Sequence, residues 1–377
     1  MIEEPIARQR ILEAIEPSVG FEDVSLGESL GRIAAEPLMA RIDLPGFDNS
    51  AMDGYAVRWR EAGAGAKLRV TGEQAAGLDA RLSLQSGEAI RIFTGAPIPE
   101  GADAVVMQED VRRSEDGKEI EILETVEPGE WIRRKGADVC VGQRILDQGV
   151  SLTPARIGLV ASQGWATVKV RPKPRIGIVT TGDEVVEPGS VAPGALPQGQ
   201  LFNSNAAMLE SLARQAGGEV TCWHSPDEPA QLRETLAEAL KASDFIAIAG
   251  GVSVGERDFV KDCLTELGVV SEFWKVRVKP GKPFLFGRFT EESKAYVFGL
   301  PGNPVSAFVT WHLFVAPAIV RWQSGGPVDA RLALPGIHGL SKQRLENPGD
   351  RPHYLRMRWD EATGSLSPSG MQQSHAL

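Results

Sequence analysis

Residues 246–258, Ile246-Ala-Ile-Ala-Gly-Gly-Val-Ser-Val-Gly-Glu-Arg-Asp258, read as a buried strand running into a glycine-rich turn that ends in an acid. Glycines let backbone N–H groups approach an anion, and a following helix N-terminus favours negative charge. Three more loops have the same character: Thr180-Thr-Gly-Asp-Glu184, Lys279-Pro-Gly-Lys-Pro283 and Leu300-Pro-Gly-Asn-Pro-Val-Ser306. Prolines flanking Lys279 and Lys282 keep them out of helix and sheet, which suits a small oxyanion or a phosphate. Asp183, Glu184 and Asp258 supply hard oxygen ligands for Mg²⁺, an ion that commonly bridges carboxylate and phosphate. Any one such loop can be an ordinary tight turn with a capping acid. Four in one domain point to an anion site.

The same segment spells Gly251-x-Ser253-x-Gly255, the pattern of a hydrolase nucleophile elbow. That reading needs a histidine and an acid downstream, and Asp329, Asp350, His338, His353 and His375 are available. Two features oppose it. Glu256, Arg257 and Asp258 intervene before the next helix, whereas an elbow enters its helix directly. The histidine would also have to come from the C-terminal segment, outside the α/β domain. No Walker A loop is present, since Pro283 follows Gly281-Lys282.

A second dense segment, Asp43-Leu-Pro-Gly-Phe-Asp-Asn-Ser-Ala-Met-Asp-Gly-Tyr-Ala-Val57, packs three acids, an amide, a hydroxyl and a tyrosine into a turn-rich stretch. Thr94-Gly-Ala-Pro97 and Arg133-Arg-Lys-Gly-Ala-Asp138 add hydroxyl, basic and acidic groups. Taken alone, Arg133, Arg134 and Lys135 read as a solvated face. His224 and His312 read as core or surface residues, and Trp274 and Trp311 as packing.

The elements that must position these loops follow from periodicity. An amphipathic helix over 5–16 opens the chain, with Ile6, Ile11, Leu12 and Ile15 on one face. Over 40–135, short strand-like runs (68–70, 89–93, 104–108, 119–123) are separated by Gly and Pro, as in a small β-rich module. From Arg175 strands and helices alternate. Strands are expected at 176–180, 220–223, 245–249, 273–278, 284–289 and 296–298. Helices are expected at 203–216, capped by Asn203, and at 229–241, 258–267 and 305–323. This is a doubly wound α/β domain, in which ligands collect at the carboxyl ends of the strands.

At 377 residues the chain should hold two to four domains. A net charge of −10 argues against a nucleic-acid or membrane-surface protein. Three scattered cysteines and an acidic N-terminus without an apolar run fit a reducing, cytoplasmic setting. No membrane-spanning run of apolar residues is expected.

In their order along the chain, Pro45–Val57, Thr94–Pro97, Thr181–Glu184, Gly250–Asp258, Lys279–Pro283 and Leu300–Pro304 resemble the motifs of the MoeA family of molybdopterin molybdenumtransferases, related to the gephyrin E domain. The resemblance covers nearly the whole chain. It implies an elongated homodimer with four domains per chain: a discontinuous linker domain (1–40 and 139–171), a small β-rich domain (41–138), a molybdopterin-binding α/β domain (172–324) and a C-terminal β domain (325–377). The implied reaction takes molybdate and adenylated molybdopterin, with Mg²⁺, to the molybdenum cofactor and AMP.

Carried over by motif, Asp258, Glu184, Asp53, Lys275 and Lys279 are the implied catalytic residues. Thr94, Arg133, Asp138, Asp227, Ser253, Lys282, Pro301, Pro304, Ser306 and Arg356 are implied substrate contacts, and Asp183, Glu184 and Asp258 implied metal ligands. Because Asp53, Thr94 and Asp138 fall in the smaller domains, the resemblance implies a site shared between the two chains of a dimer. Molybdopterin-adenylating and molybdenum enzymes are candidate partners. Family members usually run some thirty residues past the counterpart of Gln373-Ser-His375, so a truncated C-terminal domain is an expectation here. Competing readings are a molybdopterin adenylyltransferase, a gephyrin-like scaffold and the serine hydrolase.

Overall fold

In a computed structural model of the full chain, the described residues are 1–77, 79–251, 259–291, 294–325, 336–347, 349–373. They fall into two compact units.

One unit comprises Pro37–Asp147 and Gly158–Ala166. Its sheet is built from β1 (Gly54–Val57), β2 (Lys67–Gln74), β3 (Glu88–Ile92), β4 (Ala104–Met107), β5 (Val111–Arg113) and β6 (Glu119–Ile122). The order is β4-β1-β3-β2-β6-β5, antiparallel except for the parallel β2–β3 pair. Side chains alternate between the two faces of a strand. Tyr55, Val57 and Val106 therefore enter one core, and Ala56, Val105 and Ile92 enter another. The short runs seen in the sequence are β2, β3, β4 and β6, of which β4 is largely buried on both faces while β2 and β6 alternate between exposed and buried side chains.

The other unit comprises Met1–Glu36, Gln148–Ile157 and Thr167–Leu377. Its sheet contains β7 (Arg175–Thr181), β8 (Glu219–Ser225), β9 (Phe245–Ala249), β10 (Val270–Trp274), β11 (Leu285–Phe289) and β12 (Ala295–Leu300). The order is β8-β7-β9-β12-β11-β10. The first four are parallel, and β11 and β10 extend the sheet antiparallel. Around it lie α1 (Glu4–Ala14), α2 (Ser204–Gln215), α3 (Pro229–Ala242), α4 (Val260–Glu266), α5 (Pro304–Thr310) and α6 (Ala316–Ser324).

Strand β9 shows the double winding. Phe245, Ala247 and Ala249 pack with α1, α2 and the α5–α6 region, while Ile246 and Ile248 pack with α3 and α4. A strand buried on both faces reads as an unbroken apolar run. Phe298 is fully buried in the first of these cores, and truncating such a phenylalanine to alanine costs roughly 3–5 kcal/mol. A three-stranded sheet of β13 (Leu340–Ser341), β14 (Met357–Asp360) and β15 (Ser365–Pro368) closes the described chain.

Two elements differ from expectation. The strand expected over 273–278 is two strands, Val270–Trp274 and Val276–Arg277, because Lys275 adopts φ 74° between them. The helix expected over 305–323 contains a π turn at Trp311–Val315, where the Ala316 amide donates to the Trp311 carbonyl. Pro317 has no N–H to give Leu313, and its ring would clash with that carbonyl, so the turn widens. Contrary to the expectation of no membrane-spanning run, Pro304–Ser324 is long and apolar enough to cross a membrane by length and composition. Trp311, Phe314 and Ile319 are nonetheless buried in the core of this unit.

Candidate functional site

In a doubly wound sheet the chain leaves adjacent strands in opposite directions at one point, and a crevice opens there beyond the strand ends. From β7 the chain passes outward to β8, then returns across to β9 on the other side. The crevice should therefore lie between Thr180–Gly182 and Gly250–Gly251. A cleft of about 670 Å³ does lie there, within the range of small-molecule sites. Its walls also include Glu184, Asn203, Asn205, Asp227 and the Pro301–Pro304 turn.

Glycines let the two strand ends approach. Gly250 has φ 104°, and a Cβ there would sit 2.7 Å from Thr181 Oγ1 and 2.9 Å from the Thr181 carbonyl oxygen. Gly182 has φ 137°, and a Cβ there would meet the Glu184 carboxylate at 2.7 Å. Only glycine takes such conformations without strain. Glu184 is thereby folded over the backbone of its own turn.

Asn203 orders the cleft wall. Its Oδ1 caps α2 by accepting from the Ala206 amide at 3.0 Å. Its Nδ2 donates to Thr180 Oγ1 at 2.9 Å and to Glu187 Oε1 at 2.7 Å. Thr180 Oγ1 also lies 3.1 Å from His224 Nδ1. Asn205 Nδ2 donates to the Gly302 carbonyl at 2.7 Å, which ties α2 to the Pro301–Pro304 turn. Thr181 is 6% exposed, and its hydroxyl has no hydrogen-bond partner among the described residues. Motif reading places Thr180 and Thr181 in a candidate loop without giving either a role, takes His224 as a core or surface residue and does not single out Asn205. The signal available was position, since each stands at a strand end or in the first turn of a helix beside the crossover.

The expected site residues of this unit divide. Glu184, Asp227, Pro301 and Pro304 line the cleft, as does Pro283 of the lysine loop. Asp183 accepts a hydrogen bond from the Asp227 amide at 3.1 Å. Lys275, Lys279, Lys282, Ser306 and Arg356 are not among the lining residues. Lys275 Nζ lies 4.5 Å from the centre of the Trp274 ring. Ser306 is buried in α5, and its carbonyl accepts from Thr310 Oγ1 at 2.8 Å. A Cβ on Gly281 would meet Thr310 Cγ2 at 2.6 Å, so the lysine loop is pressed against α5. Ser253 and Asp258 lie outside the described residues, as do Asp329 and His375 of the hydrolase reading.

The other unit gathers its own expected residues. Asp53 Oδ1 accepts from the Thr94 amide and hydroxyl, each at 2.8 Å. Those bonds, backbone first, hold the Asp53 carboxyl below its ordinary pKa, with a smaller contribution from Arg91. Gly54 follows in β1, where a Cβ would fall 1.9 Å from the Val106 carbonyl oxygen. Arg133 pairs with Asp138. Arg134 pairs with Asp48 at 2.6 Å and Lys135 with Asp43 at 3.5 Å. Arg134 and Lys135 are thus tied to the acidic turn 43–48, while Arg133 pairs within its own segment.

Residues 3–164 match the family model for the MoeA N-terminal region (domain I and II), and residues 177–321 match that for a probable molybdopterin binding domain. The molybdopterin molybdenumtransferase of Haemophilus influenzae is 42% identical over 318 residues, covering 84% of this chain and 76% of that protein. Molybdopterin molybdenumtransferase 2 of Mycobacterium tuberculosis is 35% identical over 367 residues, covering 94% of this chain and 87% of the relative. A crystal structure of the molybdopterin biosynthesis MoeA protein from Pyrococcus horikoshii superimposes with a TM-score of 0.82 at 29% identity, over 99% of this chain and 92% of that one. Identity at this level across most of both sequences settles the family, and the chain belongs to the molybdopterin molybdenumtransferases.

Proposed function

We propose that the chain inserts molybdenum from molybdate into adenylated molybdopterin and releases AMP. The observation that carries this reading is the cleft at the β7–β9 crossover, lined by Glu184 and Asp227 beside glycine turns and the first turn of α2. Glycine backbone and a helix N-terminus suit a phosphate link. Two carboxylates in the same cleft would repel that link unless a cation stood between them.

The donor set fits Mg²⁺, which takes one or two carboxylates and fills its remaining positions with water and substrate phosphates. Among the described residues no cluster of three or more His, Cys, Asp or Glu is present, and none is needed for such a site. Glu184 and Asp227 would hold the ion, with Asp258 the further candidate on sequence grounds. When bound, it would neutralise charge developing on the phosphates during cleavage. Asn203 and Thr180 fix the wall against which the substrate is oriented. Lys279 and Lys282 are the proposed molybdate contacts, with Ser253 assigned by motif. Asp53, Thr94, Arg133 and Asp138 belong to the same reading through a homodimer in which the partner chain supplies them. A cytoplasmic setting completes it.

The direct test is AMP release from adenylated molybdopterin with and without molybdate, for the wild type and for Glu184→Gln. Release should depend on molybdate and fall by about 10²-fold or more in the variant, as expected when a group stabilising developing charge is removed. Release from the wild type that ignores molybdate would overturn the assignment. Adenylated product formed from ATP and molybdopterin would replace it with an adenylyltransferase.

A further inference from the structure

Lys279 sits in a loop with no helix or sheet of its own, and a separate segment of chain holds it. Its amide donates to the Pro352 carbonyl at 2.9 Å, and its carbonyl accepts from the Tyr354 amide at 2.8 Å. Lys279 and His353 form a parallel β-bridge. The Arg351 guanidinium reaches the Val278 carbonyl at 3.4 Å. The same strap ends at Arg356, whose amide donates to Gln372 Oε1 at 2.8 Å and whose carbonyl accepts from Gln372 Nε2 at 2.9 Å. Residues 351–354 therefore hold the backbone at Lys279 and run on to Arg356, so two of the expected site residues share one support.

The strap is tied to the opposite end of the chain. The Tyr354 hydroxyl donates to Glu4 Oε2 at 3.2 Å. Glu4 opens α1 and is only 5% exposed, with Arg8 NH1 3.6 Å from its other oxygen. Burial, then the Glu4 charge, pushes the Tyr354 phenol up to about 12, so it remains a donor across the working pH range. Glu4 is 5% exposed and Tyr354 37% exposed, so loss of the contact would leave a buried carboxylate oxygen without its donor, and that cost favours one register.

We infer that the Tyr354–Glu4 pair is a positioning device that sets Lys279 and Arg356 for the oxyanion substrate. The inference rests on the proposed role of Lys279 as a molybdate contact. Neither Tyr354 nor Glu4 need touch substrate. Their effect is transmitted through the backbone bonds at 352–354.

The experiment compares Tyr354→Phe, Glu4→Ala and Glu4→Gln in the full chain by molybdate-dependent AMP release, with thermal melting alongside. Tyr354→Phe and Glu4→Ala should raise the KM for molybdate about tenfold while leaving kcat and the KM for adenylated molybdopterin within about twofold, the signature of weakened binding of one substrate. Glu4→Gln keeps a carbonyl that accepts from the phenol and should restore near-normal molybdate KM. If Tyr354→Phe does not fold, the Glu4→Ala and Glu4→Gln pair carries the comparison. An unchanged molybdate KM in Tyr354→Phe or Glu4→Ala, or parallel losses in all three constants, overturns the positioning role. Lys279→Ala separates the two levels: if it leaves the molybdate KM unchanged, the Lys279 reading fails and the inference falls with it.

Discussion

Replacing Gly250 by alanine tests how the cleft is closed. The residue stands at φ 104°, where an L side chain is strained, and such a conformation costs about 1–3 kcal/mol. The new Cβ would also lie 2.7 Å from Thr181 Oγ1 and 2.9 Å from the Thr181 carbonyl. Relieving that overlap means moving the end of β7 or β9, and overpacking of this kind costs about another 1–3 kcal/mol. A total of about 2–6 kcal/mol is a large part of the 5–15 kcal/mol typical of a folded domain. Gly302→Ala is the matched control. It faces the same cleft, but its Cβ would only touch Gly250 Cα at 3.7 Å, an ordinary contact, so its stability should stay within about 0.5 kcal/mol of wild type. Adding Thr181→Ala to Gly250→Ala removes one of the two overlaps. The double variant should regain part of the loss and leave the backbone strain in place, a non-additivity that a double-mutant cycle measures. The readouts are urea unfolding of each variant and its rate of AMP release. Wild-type stability in Gly250→Ala would refute the close approach of the two strand ends.

Three further outcomes follow from the geometry. Thr94→Val removes the hydroxyl donor to Asp53 but keeps the amide, so the Asp53 pKa, followed by carboxyl-carbon NMR, should rise part of the way toward its ordinary value; no movement would mean the hydroxyl does not contribute. Burial lowers the His312 pKa below 6.5, and its Nδ1 has no hydrogen-bond partner among the described residues. With a depressed folded pKa the unfolded chain binds the proton first, so the stability is fully present above about pH 6.5 and is lost as pH falls through the folded value. His312→Phe should flatten that acid limb of the melting curve, and an unaltered limb would assign it to other groups. Finally, mixing Asp53→Ala with Glu184→Ala chains should recover about a quarter of wild-type activity if each site of a twofold dimer draws on both chains. Proven subunit exchange without recovery would end the shared-site proposal.

The sequence announced whatever depends on local pattern, and it was silent where the outcome depends on which segments meet. Strand Phe245–Ala249 was legible because five consecutive apolar residues followed by two glycines leave few alternatives. The cap at Asn203 was legible for the same local reason, yet the bonds from its amide to Thr180 and Glu187 were not, since they join chain 16 to 23 residues apart. The break at Lys275 escaped because nothing in Phe273–Val278 marks a left-handed residue. The π turn left one clue in the sequence, Pro317 inside an otherwise regular apolar helix. Motif reading also placed Lys279 in a site without saying what holds it there. That support comes from Pro352, Tyr354 and Glu4, which no local rule connects, and the Tyr354–Glu4 hydrogen bond spans 350 residues of chain. Chemistry-bearing residues cluster in recognisable short motifs because a loop must present several groups at once. The residues that orient them need only meet in space, and for those the fold itself is the evidence.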